Sequence, residues 1–201
     1  MAVLESVKLT LASIGHPVFS NVSIDALMAQ GLSLVETFRI VAPDATPQLI
    51  AQCVDVYRRH YRDLEQDHTV VFDGVSSTLA ELAAAGFSMA VVSNKGTAAV
   101  ARALQRFGIE QGIDHVFGAE EGLPTKPDPS LYELRIQPAY PAVPKSAFLM
   151  IGDTVADLEF AKTVGIAGCW ASYGFGDPAS CRGLHPDFTI GHFAELAAIV
   201  A

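Results

Sequence analysis

Val3, Leu4, Val7, Leu11 and Ile14 recur at the spacing of one helical face, and Gly15 follows them as a stop. A second, mostly apolar stretch over residues 26–41 is broken by Gly31. Thr46-Pro47 then supplies an N-cap and a first-turn proline. Behind it Leu49, Ile50, Cys53, Val54, Tyr57, Tyr61 and Leu64 share one face of a third helix. The first third of the chain therefore predicts helices only.

After Asp67 the rhythm changes to helices alternating with short apolar strands. A helix over 75–85 ends at Gly86, and a strand over 87–92 runs into Ser93-Asn94. A helix over 97–107 leads to a short strand around Val116-Phe117 and a proline-rich loop carrying Lys126. A strand over 148–151 turns at Gly152-Asp153 into a helix over 155–164, with Gly165 as its stop. Strands over 167–171 and 188–190 and an amphipathic helix over 193–200 complete the pattern. All-apolar strands separated by helices imply an α/β fold: a Rossmann-like, mainly parallel sheet with helices on both faces. The expected division is a small α-helical domain over 1–68 and an α/β core over 69–201. In such sheets ligands collect outside the carboxyl ends of the strands.

Half of the 201 residues are hydrophobic, enough for a sizeable core. A net charge of -9 and a pI near 5.0 argue against nucleic acid or an anionic membrane as partner. No apolar run approaches the roughly 20 residues needed to span a bilayer. Cys53, Cys169 and Cys181 are scattered, with no Cys-x-x-Cys pair and no leader-like start, which points to a reducing, cytoplasmic setting. Tyr57-Arg58-Arg59-His60-Tyr61-Arg62 mixes basic and aromatic residues, but on a helix of an acidic protein it reads as a solvated face with two core tyrosines. His16, His60, His68, His115, His185 and His192 lack ligand spacing, which speaks against zinc.

Three polar sites lie at or after strand ends: Ser93-Asn94, Lys126, and Asp153 with Asp157. Two carboxylates four residues apart, one at a strand end and one on the first helical turn, can face a common Mg²⁺ ion. Asp153 or Thr154 can equally serve only as a helix cap. Ser93 and Asn94 offer a hydroxyl, an amide and backbone N–H groups at an expected helix N-terminus, which suits an anion, though a plain strand-to-helix turn has the same composition. Lys126 is flanked by residues that stiffen its backbone, in Thr125-Lys126-Pro127-Asp128-Pro129. Together the three form an anion-binding turn, a phosphate-neutralising lysine and a Mg²⁺ carboxylate pair.

Val91-Val92-Ser93-Asn94-Lys95, Lys126-Pro127-Asp128-Pro129 with Tyr132, and Gly152-Asp153-Thr154-x-x-Asp157 with Ala161 resemble motifs two, three and four of the haloacid dehalogenase superfamily. The likeness is greatest to phosphoglycolate phosphatase-type hydrolases. It extends to the helical first third, which is similar to their cap, and to Ser172-Tyr173-Gly174-Phe175-Gly176, which is similar to a late loop. The resemblance implies a Mg²⁺-dependent phosphatase acting on a small phosphorylated metabolite through an aspartyl-phosphate. In that reading Ser93 and Asn94 bind the phosphoryl group, Lys126 neutralises its charge, Asp153 ligates Mg²⁺, and Asp157 ligates it or orients its water. Ser93 and Lys126 are then the catalytic candidates.

The family's first motif, Asp-x-Asp-Gly-Thr, carries the nucleophile and the general acid/base, and it should precede the helix that begins near Ala2. It is therefore expected upstream of Met1, through a shortened chain or a start placed too late. A noncatalytic, phosphate-binding or regulatory member is the alternative. Val70-Val71-Phe72-Asp73-Gly74 imitates the motif but lacks its second aspartate, so Asp73 reads as a linker turn. Because the family's first strand lies mid-sheet, its loss is expected to leave neighbouring strands without partners. The carboxylate pair speaks against a dehalogenase, which needs no metal. Gly152-Asp153, where the sugar-phosphate mutases have Glu-Asp, favours hydrolysis over mutase chemistry.

Overall fold

The structure, a computed structural model, describes residues 2–15 and 23–200, without the side chains at 24, 25, 28 and 66–68. His16 and the side chain of His68, two of the histidines weighed for zinc, thus lie outside the described residues. The chain divides into two compact units, one of residues up to 28 plus 32–70, the other of residues 29–31 plus 71 onward.

The first unit is helical: α1 (Ala2–Ser13), α2 (Ile24–Gln30, whose last residues group with the second unit), α3 (Leu34–Val41) and α4 (Pro47–His68). Gly31, at φ +72°, separates α2 from α3 as the sequence break predicts. Thr46 Oγ1 accepts the Leu49 N–H at 3.2 Å, making the expected N-cap of α4. Val7 and Leu11 of α1 are fully buried, and α1 packs on α4. Ile50, Cys53, Val54, Tyr57 and Tyr61 form the buried face of α4, and the two tyrosine rings stack at 5.6 Å. Arg58 and Arg59 between them are exposed, so the basic-aromatic stretch is a solvated face over a tyrosine core.

The second unit runs α5 (Val75–Ala84), β1 (Ala90–Gly96), α6 (Thr97–Phe107), β2 (His115–Ala119), a wide helical turn at Tyr132–Ile136 continued by α7 (Gln137–Ala139), and then β3 (Leu149–Gly152). α8 (Val155–Val164), β4 (Ala167–Ala171), α9 (Pro178–Gly183), β5 (Phe188–Ile190) and α10 (Leu196–Val200) follow. Every strand pairing is parallel, as continuous apolar strands require. α6 packs on β1 and β2, and α8 packs on β3 and β4.

Instead of one sheet the strands form two, β1 with β2 and β3-β4-β5, and among the described residues no strand joins β1 to β3. The two sheets nevertheless share a core: Phe117 of β2, Met150 of β3, Phe160 and Val164 of α8, and Tyr132 and Ile136 of the helical turn cluster together. Ala90 and Val92 of β1 pack against that cluster. Side chains therefore bridge a line that no backbone ladder crosses.

Two expectations are corrected. The first strand begins at Ala90 rather than at residue 87, because the backbone of Gly86 and Phe87 is used to stop α5, donating to the carbonyls of Ala83 and Leu82. The same strand continues to Gly96, so Ser93 and Asn94 lie inside β1, in a stretch of irregular register between Val92 and Gly96, rather than in a turn that follows the strand and opens α6.

Candidate active site

Lys126 is only 7% exposed despite sitting in a loop. Its ammonium donates to the Val92 carbonyl of β1 at 2.6 Å and to Asp157 Oδ1 of α8 at 2.5 Å. Asp157 is buried as well, and its second oxygen, Oδ2, accepts both the N–H and the hydroxyl of Thr154, at 2.9 and 2.7 Å. The carboxylate thus caps α8 by reaching back over its first turn while it balances the Lys126 charge. Burial would push the Asp157 carboxyl up, but the Lys126 ammonium and the two Thr154 bonds outweigh it and hold the group below the usual carboxylate range. Gly152 permits this placement, since a Cβ there would overlap the Asp157 side chain.

Asp153 sits at the turn between β3 and α8. Its Oδ2 accepts the Phe175 N–H at 2.7 Å, and its backbone carbonyl accepts Trp170 Nε1 at 3.3 Å and the Cys181 thiol at 3.5 Å. Gly174 and Gly176 let the late loop lie this close, because a Cβ at either would overlap Asp153. Burial pushes the Asp153 carboxyl above the usual range; the Phe175 N–H pulls it back, the negative charge of Asp157 adds to the rise, and Lys126 opposes it. A carboxylate in that position is stabilised by a cation. Among the described residues no three His, Cys, Asp or Glu side chains gather into a ready-made metal cage. The donor set fits Mg²⁺ of the kind held by one or two carboxylates, with water and substrate phosphate supplying the other ligands.

Ser93 Oγ accepts the Lys95 N–H at 3.1 Å, a local turn that leaves the serine O–H as a donor. The Asn94 carboxamide donates to the carbonyls of Lys126 and Gly31, each at 2.8 Å, and its Oδ1 accepts the Lys126 N–H at 2.9 Å. Hydrogen bonds thereby run without a break from Asn94 of β1 through Lys126 to Asp157 and Thr154, beside Asp153. Asp73, the imitation of a nucleophile, is an exposed turn residue before Gly74, whose φ is +79°. Sequence reasoning treated Thr154 only as a capping residue and saw the late loop only by resemblance. The signal for the loop was its pair of glycines, and for Thr154 its place three residues before an aspartate.

The parallel, helix-covered strands and the three convergent polar motifs define a phosphate-handling α/β hydrolase. The family described as haloacid dehalogenase-like hydrolase matches residues 1–171. Phosphoglycolate phosphatase of Vibrio cholerae is 26% identical over 196 residues, covering 94% of this chain and 84% of the relative. Among solved structures, a haloacid dehalogenase-like hydrolase from Bacteroides fragilis superposes with a TM-score of 0.84 at 19% identity, covering 97% of this chain and 91% of the other. CbbY from Rhodobacter sphaeroides, in complex with xylulose-1,5-bisphosphate, superposes with a TM-score of 0.79 at 19% identity, covering 97% and 88%. The chain belongs to the haloacid dehalogenase-like hydrolases, and within them to the phosphoglycolate phosphatase-like phosphoric monoester hydrolases.

Proposed function

We propose that this chain carries the phosphate- and Mg²⁺-binding part of a phosphatase for a small phosphorylated metabolite, of the phosphoglycolate class, in the cytoplasm. The observation that carries this reading is the buried Lys126, tied at once to β1 and to Asp157 beside Asp153. An ammonium has three N–H donors, and Val92 and Asp157 account for two, which leaves one for a phosphoryl oxygen. The Ser93 hydroxyl and the backbone at Asn94 hold the transferring group, and Asp153 ligates the cation through the oxygen that does not meet Phe175. Asp157, with both oxygens engaged, orients the cation's water and anchors Lys126. Bound Mg²⁺ would neutralise charge on the phosphate. Positioning and charge stabilisation are what phosphoryl transfer asks of a protein.

Hydrolysis proceeds through an aspartyl-phosphate whose nucleophile comes on an Asp-x-Asp strand seated between β1 and β3. The split of the parallel sheet along that line supports this. By the same family likeness residues 1–68 are the cap and 69–201 the core. A second reading, a phosphate-binding protein without turnover, draws on the exposure of Asp73 in its turn.

The test is hydrolysis of p-nitrophenyl phosphate with and without Mg²⁺, by this polypeptide and by a form extended upstream in its reading frame. Mg²⁺-dependent activity confined to the extended form is expected. No activity in either form would favour the binding protein, and full activity of the 201-residue form would place the nucleophile within it.

A further inference from the structure

The sequence offers both the amide and the backbone N–H of Asn94 to an anion, and the hydrogen-bonding capacity of the side chain is committed elsewhere. A carboxamide has two N–H donors and one acceptor oxygen. Here both donors go to carbonyls, of Lys126 and Gly31, and the oxygen takes the Lys126 N–H. The orientation of the group is fixed by this set, since turning it over would aim Oδ1 at two carbonyl oxygens and Nδ2 at an N–H. Nothing on the side chain is left to donate to an anion unless one of these bonds breaks.

We infer that Asn94 is a positioning residue for Lys126, its carboxamide acting as a two-point clamp on the lysine's own peptide groups. The inference rests on the phosphate reading for its purpose but not for its geometry. The loop around Lys126 has few other means of fixing that residue: Pro127 has no N–H, and the nearest backbone bond of the loop runs from the Asp128 N–H to the Thr125 carbonyl at 2.9 Å. A lysine side chain has four rotatable bonds, so delivering its ammonium to one point between Val92 and Asp157 demands that the Cα be fixed first. The clamp does this from β1, the same strand whose Val92 carbonyl receives the ammonium. Lys126 is thereby held at both ends, by Asn94 at the backbone and by Asp157 at the tip. The Gly31 carbonyl accepts the second Asn94 N–H, and Gly31 lies so close to Thr154 that a Cβ there would overlap the Thr154 hydroxyl.

Amine labelling of the intact protein, read residue by residue by mass spectrometry, tests the clamp. Lys126 is shielded in the wild type, and Asn94→Ala and Asn94→Asp are each expected to raise its labelling rate by about tenfold. Lys145, whose ammonium donates to the Val164 carbonyl at 3.0 Å, serves as the reference and keeps its wild-type rate. Unchanged Lys126 labelling with an unchanged Lys145 would overturn the inference. Lys145 is exposed in the wild type and reports only reagent reactivity, so retention of fold is read by circular dichroism; for a variant that has lost its fold, judgement passes to the wild type alone. There the Lys126 backbone N–H must exchange with solvent more slowly than in a free peptide, and exchange at the free-peptide rate would overturn the clamp. Orthovanadate, a phosphate mimic, is added in a separate arm. Protection of Lys126 by vanadate supports the phosphate site; its absence removes that site while the labelling ratio still decides the clamp.

Discussion

Neutralising Asp157 would leave the Lys126 ammonium buried against a carbonyl and an uncharged acceptor. Breaking a buried pair from one side costs about 3–5 kcal/mol, and Asp157→Asn is expected to fall at the lower end, because its amide oxygen still accepts. Urea unfolding of the two proteins measures the difference. Its pH dependence has a definite sign. The Asp157 carboxyl is held below its ordinary value, so its contribution is complete above the unfolded carboxylate pKa of about 3.9 and disappears as pH falls through the lower, folded value. The gap between wild type and variant should be flat from about pH 7 to 5 and should close only below about pH 4; a gap that closes near neutrality would mean that another group is responsible. At this scale the sequence offered candidate residues but not their bonds. Two carboxylates at i and i+4 look alike on paper, yet one is spent on a lysine and a cap while the other faces the late loop.

Elements were legible where one face is apolar throughout. α8 and β4 begin and end where their patterns do, and Thr46-Pro47 opens α4 as written. The failures have physical causes. Apolar Phe87 reads as strand, but its N–H closes α5, and β1 instead runs on through polar Ser93-Asn94-Lys95, where the Asn94 side chain bonds Lys126 and Gly31 instead of joining the core. α9 was missed although Asp177-Pro178 repeats the Thr46-Pro47 signal, with Asp177 Oδ2 accepting the Ser180 N–H at 2.7 Å. The helix expected over 193–200 opens with a tighter turn that His192 caps through Nδ1. The β3–α8 junction depends on Gly152, so Gly152→Ala should displace the Asp157 side chain and cost about 1–3 kcal/mol by overpacking. Thermal unfolding checks this, and a variant of wild-type stability would show that the turn can yield.

For the whole molecule, the parallel α/β architecture and the family were readable from pattern and motif, whereas the division into two sheets was foreseeable only through the family's mid-sheet strand. The lone tryptophan of the chain, Trp170, donates its indole N–H to the Asp153 carbonyl, so cation binding at Asp153 should register in the intrinsic fluorescence. Magnesium titration is expected to shift the emission of the wild type and to leave that of Asp153→Asn unchanged. A flat wild-type response would remove Asp153 as a ligand.

The line between β1 and β3 has a further consequence for behaviour in solution. Among the described residues no strand pairs β1 with β3, and an unpaired strand edge presents N–H and C=O groups to any extended chain that drifts past, including another copy of the same protein. A net charge of -9 keeps such copies apart at low ionic strength, and salt weakens that repulsion over about 10 Å at 0.1 M. Light scattering of this polypeptide should therefore rise with added salt and with concentration, and a flat response would show that the edge is already covered.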